Sequence, residues 1–98
     1  MLTTQKLYRM AAKSIKKKRG SDSNYRIAKE LEVSEGTARR WRDGATMDDE
    51  NATKIAVFLN LDPAYVLACI NAERAKDSAS YPLWQIVAER VKSTDIAA

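Results

Sequence analysis

Two adjacent arginines, Arg39 and Arg40, are the side chains in this sequence best suited to recognise another molecule. A guanidinium group presents a planar fork of donors that matches a phosphate or the O6 and N7 atoms of guanine. Glu35 lies four residues before Arg39, and a carboxylate can accept a hydrogen bond from cytosine N4. These three side chains are therefore either base contacts or solvated charges on an exposed helix.

Catalytic chemistry has few candidate residues. The chain has no histidine and a single cysteine, so the commonest general base and the usual zinc ligand sets are missing. Its three glycines stand too far apart to form a phosphate-binding loop. We therefore predict no enzymatic activity, no metal and no cofactor. Cys69, between Ala68 and Ile70, is predicted to be a buried helical residue.

The arginines belong to a predicted helix from Glu35 to Arg42, which Ser34 caps and Gly44 follows. Its inward residues are Ala38 and Trp41. A helix in the major groove contacts bases from positions i, i+1, i+4 and i+5 of its first turns. The predicted base-contacting residues are thus Glu35, Gly36, Arg39 and Arg40, with Thr37 contacting a thymine methyl or a phosphate.

Two further helices precede this one. Ser23 caps a short helix whose inward face is Ile27, Ala28 and Leu31, and Glu32 and Val33 form the turn that follows it. A first amphipathic helix, from about Thr4 to Lys18, turns a stripe of apolar or small residues inward: Leu7, Met10, Ala11, Ser14 and Ile15.

Two groups of residues are predicted to contact phosphates. Asn24 and Tyr25 open the second helix, where free amides and the helix dipole attract an anion; capping and packing are the alternative. Lys16, Lys17, Lys18 and Arg19 close the first helix, where they either approach the DNA backbone or only aid solubility.

Charge is unevenly distributed along the chain. Residues 1 to 44 carry 12 basic and five acidic residues, whereas residues 45 to 98 carry five basic and eight acidic residues. The balances of +7 and −3 indicate that the first half, and not the second, faces a polyanion.

The second half also has helical periodicity. Thr46 and Asp49 suggest a capping box before a fourth helix with Ala52, Ile55, Ala56 and Leu59 inward. Asp62 and Pro63 begin a fifth helix, which continues to about Ala75. Pro82 opens a last helix with one apolar face: Leu83, Trp84, Val87 and Val91. This face is predicted to mediate dimerisation, and packing within its own subunit is the alternative.

Residues 23 to 44, SNYRIAKELEVSEGTARRWRDG, resemble the helix-turn-helix of lambda-repressor-like (Cro, cI and Xre-type) proteins. The matching positions pack the two helices of the motif together: Ile27, Ala28, Leu31, Val33, Ser34, Ala38, Trp41 and Gly44. A looser similarity extends over residues 4 to 75 and includes Ile55, Ala56 and Leu59. Two residues depart from the family: Glu32 stands where Gly is frequent and a positive φ is expected, and Asp43 stands where a neutral residue near phosphate is usual.

The predicted fold is therefore all-α: a five-helix lambda-repressor-like DNA-binding domain over residues 1–76, with an additional C-terminal helix in residues 77–98. The resemblance implies a cytoplasmic, phage-related regulator, in which a homodimer binds double-stranded DNA, most simply as a repressor. No membrane segment and no small-molecule effector are indicated. The alternative is a protein-interaction module on the same scaffold, such as an antirepressor or antitoxin subunit, and Glu35 is the residue that most favours it.

Overall fold

The computed structural model describes residues 1–97 and the side chains as far as Lys92. Within this range the protein is an all-α domain of six helices with no strand. The helices are α1 Thr4–Arg19, α2 Asn24–Leu31, α3 Glu35–Arg42, α4 Asp49–Phe58, α5 Pro63–Arg74 and α6 Tyr81–Ala97. None of them combines the length and the apolarity that crossing a bilayer requires.

Side-chain caps fix where the first five helices begin. The side chains of Ser23 and Ser34 accept from the backbone N–H groups three residues later, and Asp62 accepts from Ala64 N. The predicted capping box at Thr46 is wrong. Asp48 caps α4 instead, accepting from Asn51 N at 2.8 Å, because a carboxylate next to the helix satisfies an orphan amide and the dipole together.

The turn between α2 and α3 contains a left-handed residue, as the sequence predicts. Glu32 has φ 58° and ψ 46°, and its N–H bonds back to the end of α2. An L-residue in this region is strained by about 1 kcal/mol relative to its right-handed form. Glu32 thus maintains the turn between α2 and α3 with a backbone strain that glycine would avoid.

The main core lies between α1, α2, α3, α4 and α5. Inward residues predicted for α2 and α3 are all buried, among them Ile27, Ala38 and Trp41. One prediction for α1 is wrong: Met10 is 38% exposed, whereas Tyr8 is buried. The packed stripe of α1 is therefore Thr4, Leu7, Tyr8, Ala11 and Ile15.

A polar network joins the beginning of α1 to the end of α5. Buried Thr4 donates through its N–H (3.0 Å) and its hydroxyl (2.7 Å) to one carboxylate oxygen of Glu73. The same hydroxyl accepts from Met47 N at 3.1 Å, and Arg74 donates to Met47 O at 2.9 Å. These bonds fix the loop between α3 and α4 against both helices.

The last helix packs on its own chain. α6 contacts α5 more extensively than any other two helices contact each other, and the contact is built from small buried residues, Ala68, Cys69 and Ala88. The molecule measures 38 × 32 × 17 Å. A slab this thin is about two helix layers deep, since packed helices lie roughly 8–10 Å apart.

Candidate nucleic-acid interface

The outer face of α3 carries the five residues that the sequence singles out. Burial of Ala38 and Trp41 leaves Glu35, Arg39 and Arg40 exposed, while Gly36 and Thr37 are half-buried. We call this face the α3 surface, defined by Glu35, Gly36, Thr37, Arg39 and Arg40. The structure therefore places these residues together on one accessible turn and a half of helix.

Arg40 is held by its own helix. Its Nη2 donates to Thr37 Oγ1 at 2.9 Å, and Thr37 Oγ1 also accepts from the Ser34 hydroxyl at 2.9 Å. The guanidinium consequently lies back along α3, toward the first turn. Within the described part of the chain, neither Arg39 nor Glu35 forms an ion pair, so both charges are available to a partner.

The start of α2 lies beside the start of α3. Asn24 Nδ2 donates to Glu35 O at 3.0 Å, and Asn24 Oδ1 accepts weakly from the Tyr8 hydroxyl at 3.4 Å. Burial raises the Tyr8 pKa, an effect that nearby Arg42 opposes. Asn24 thus joins α1, α2 and α3, while Tyr25 remains 54% exposed, with Lys29 Nζ 5.7 Å from its ring centroid.

The basic residues at the end of α1 are exposed, but most have partners within the chain. Lys16 approaches Asp22 at 4.0 Å, Lys18 lies over the Phe58 ring, and Arg19 pairs with Glu30 near the end of α2. For Lys17 no such partner is found in the described residues. Arg19 therefore lies near the end of α2, opposite Asn24 and Tyr25, whereas Lys16 approaches Asp22, which directly precedes the cap of α2.

Two acidic features border the α3 surface. Asp43 pairs with Arg42 at 3.1 Å, which neutralises a cation at the end of α3. A groove of about 250 Å³ runs beside Thr37 and Arg40 and is closed by the loop before α4. That loop was not anticipated as part of the interface; it offers neutral Ala45 and Thr46 next to Arg40, and then Asp48.

The predicted apolar face of the last helix is divided between two sides. Trp84 and Val91 are half-buried, on the side of α6 where Ala88 is fully buried against α5. Leu83 and Val87 point outward with Ile86 and are 65%, 40% and 47% exposed, respectively. That these four residues mediate dimerisation stays a prediction; the structure adds Ala88, which the pattern overlooked and which is fully buried against α5. We call Leu83, Ile86 and Val87 the α6 surface.

Tyr65 lies at this second packing site. It packs against Ala68, Cys69 and Ala88, with its hydroxyl influenced by the Cys69 thiol. Burial, this interaction with Cys69 and the nearby Glu89 raise the Tyr65 pKa to about 12. Cys69 itself is a buried free thiol, in agreement with the predicted core position.

Comparison of the chain with protein-family models, with curated proteins and with solved structures found no match. The resemblance of residues 23–44 to lambda-repressor-like proteins therefore stays a prediction from the sequence.

Proposed function

We propose that this protein is a sequence-specific DNA-binding regulator of the lambda-repressor-like class, which represses transcription by occupying its operator. The observation that carries the proposal is the α3 surface: Glu35, Arg39 and Arg40 project from a helix that Ala38 and Trp41 anchor from behind. Such a helix fits the major groove, where arginine recognises guanine and a carboxylate recognises cytosine.

Electrostatics supports a polyanionic ligand. The +7 balance of residues 1 to 44 lies in the half of the chain that contains α1, α2 and α3. Backbone amides at the start of α2, beside Asn24, supply a phosphate site that orients α3 in the groove. Lys17 and its neighbours add long-range attraction for the duplex without selecting its sequence.

A second copy of the chain is the proposed partner at the α6 surface. α6 packs on α5, whereas α3 packs on α1 and α2, so a copy docked on α6 leaves both α3 surfaces free. The groove of about 400 Å³ beside Trp84 and Val87 is lined in part by Glu50, a carboxylate that complements exposed Lys92 of a two-fold related α6. Asp49 also lines this groove but already pairs with Arg74 at 3.2 Å. Two α3 helices set about 34 Å apart by such symmetry recognise successive major grooves.

Selection of bound duplexes from a random DNA pool tests this function. We expect a palindromic consensus and an affinity that falls steeply with salt, with a slope of about −0.9 per phosphate contact. Arg40→Ala should cost about 1–3 kcal/mol on the selected site and relax one base pair. Lys17→Ala is the matched control and should weaken all sequences alike. If Arg40→Ala and Lys17→Ala each reduce binding to the selected duplex and to random duplexes by the same factor, base recognition by Arg40 is contradicted.

The second candidate is a protein-interaction module. It is favoured by the carboxylates near α3, Glu35 and Asp48, which phosphates repel, and by an apolar groove of about 420 Å³ between α2 and α4. Leu31, Ile55 and Phe58 line that groove. If no duplex is enriched and affinity for DNA barely changes between about 50 and 200 mM salt, this candidate replaces the first.

A further inference from the structure

A chain of hydrogen bonds connects the cap of α3 to Arg40. The backbone N–H of Thr37 donates to Ser34 Oγ at 3.0 Å, and the Ser34 hydroxyl donates back to Thr37 Oγ1 at 2.9 Å. Arg40 Nη2 completes the chain with a 2.9 Å bond to the same Thr37 oxygen. Thr37 therefore connects the capped start of α3, at Ser34, to Arg40, a long side chain with many rotamers.

Gly36 leaves the space that this arrangement uses. A Cβ at position 36 would lie 3.6 Å from Arg40 Nη1, so the guanidinium rests over the backbone of the first helical turn. An alanine there would make an ordinary contact, but a larger side chain would compete with the guanidinium for its place. The position of Arg40 is thus set by Thr37 on one side and by the small residue at 36 on the other.

The hydrogen-bonding groups of Thr37 and Arg40 that these bonds do not use remain available to a ligand. A threonine oxygen has two lone pairs, and both are used by Ser34 and Arg40, so the Thr37 hydroxyl can only donate to an additional partner. A guanidinium has five N–H donors, and the bond to Thr37 uses one of them. Arg40 keeps enough donors for a bidentate bond to a guanine edge.

We infer that Thr37 is a positioning residue, which orders Arg40 before DNA binds so that Arg40 selects guanine at one base pair of the site. This inference rests on the proposed function, in which the α3 surface enters the major groove. Ordering a long side chain on binding reduces its conformational entropy, and a bond formed in the free protein removes part of that loss. The sequence predicts a direct contact between Thr37 and DNA; the hydrogen bonds assign Thr37 this second role.

The test measures guanine discrimination, defined as the ratio of the Kd for a duplex with that guanine replaced to the Kd for the selected duplex. Thr37→Val keeps the shape and the backbone N–H but removes the acceptor, and we expect discrimination to fall about tenfold. Thr37→Ser keeps the hydroxyl and should retain the discrimination of the unmodified protein. In an Arg40→Ala background, Thr37→Val should change discrimination no further, since the two residues act as one unit.

Other outcomes would overturn the inference. If Thr37→Val and Thr37→Ala both discriminate as the unmodified protein does, Thr37 does not position Arg40. If Thr37→Val loses the same factor on selected and random duplexes, its role is a phosphate contact. In both cases the unmodified protein still selects a duplex and the proposed function stands. If the unmodified protein selects no duplex, the proposed function itself is contradicted. The unfolding temperature of each variant is measured to show that the variant is folded.

Discussion

The α3 surface and the α6 surface belong to helices that are anchored in similar ways but expose opposite chemistry. Ala38 and Trp41 hold α3 to the core, and Ala88 holds α6 to α5. The exposed side of α3 is charged and is ordered by local hydrogen bonds, whereas the exposed side of α6 includes three apolar residues, Leu83, Ile86 and Val87.

This difference shows that anchoring and recognition are independent properties of a helix. One or two buried residues hold each helix in place, and the outward residues then decide which partner the helix suits. A cation without an internal ion pair, such as Arg39, suits a polyanion, whereas an apolar stripe is stabilised by being covered. The molecule thus separates a charged surface on α3 from an apolar surface on α6.

The largest expected effect compares two isoleucines, one from each region. Ile27 is 1% exposed and Ile86 is 47% exposed. We expect Ile27→Ala to lower the free energy of unfolding by about 2–5 kcal/mol, because it leaves a cavity in the core. In dilute protein, Ile86→Ala should lower it by less than about 1 kcal/mol. Urea denaturation of both variants measures the difference.

The same pair also tests the proposed dimer. If a second copy covers the α6 surface, the effect of Ile86→Ala should grow with protein concentration, since dimerisation stabilises the folded state by mass action. The effect of Ile27→Ala on the monomer should show no such growth. An Ile86→Ala effect that is independent of concentration, with both proteins monomeric in sedimentation, would contradict a dimer through α6.

A smaller effect is expected in the turn that positions α3. Glu32→Gly should raise the free energy of unfolding by up to about 1 kcal/mol, because glycine adopts positive φ without a Cβ clash. Asn60 has the same φ of 58° and is the matched control; Asn60→Gly should gain less, since asparagine tolerates this region. Thermal unfolding compares the two, and a loss of stability in Glu32→Gly would show that the glutamate side chain does more than occupy the turn.

The smallest expected effect is the dependence of the unfolding free energy on pH, to which Tyr65 contributes at the contact of α5 and α6. The Tyr65 pKa is raised from 10.0 to about 12, so the folded state retains this proton more strongly than the unfolded state. The resulting stability is complete below pH 10 and is lost as the pH rises toward 12. Tyr65→Phe should flatten the decline of the unfolding free energy across this interval. Exposed Tyr25→Phe should leave the decline unchanged, and equal curves for both variants would contradict the assignment.

Sequence alone predicted the packed faces of α2 and α3 because large apolar residues recur there at helical spacing. The positive φ of Glu32 was also predictable, since the turn geometry requires it whichever residue is present. The predictions for DNA contacts and for a lambda-repressor-like relationship stay predictions, supported by the α3 surface. The six-helix, all-α architecture is confirmed.

Other features were not predictable because they depend on contacts between distant residues. Tyr8 replaces Met10 in the core since Tyr8 faces Asn24, a residue of another helix. The choice of Asp48 over Thr46 as a cap depends on where the loop is held, which Thr4 and Arg74 decide through Met47. In α6, a small residue determines the buried side, and hydrophobicity patterns give alanine little weight.

The bond from Thr4 to Glu73 has a consequence for the order in which the chain acquires its structure during synthesis. It joins residues 69 positions apart, so α1, α2 and α3 leave the ribosome before the carboxylate that completes the anchor of α1 exists. Closing a loop of this length reduces chain entropy, with a penalty that grows only logarithmically with its length. A nascent chain that ends before Glu73 therefore already contains the whole α3 surface, but α1 gains its bond to Glu73 only after α5 has been translated.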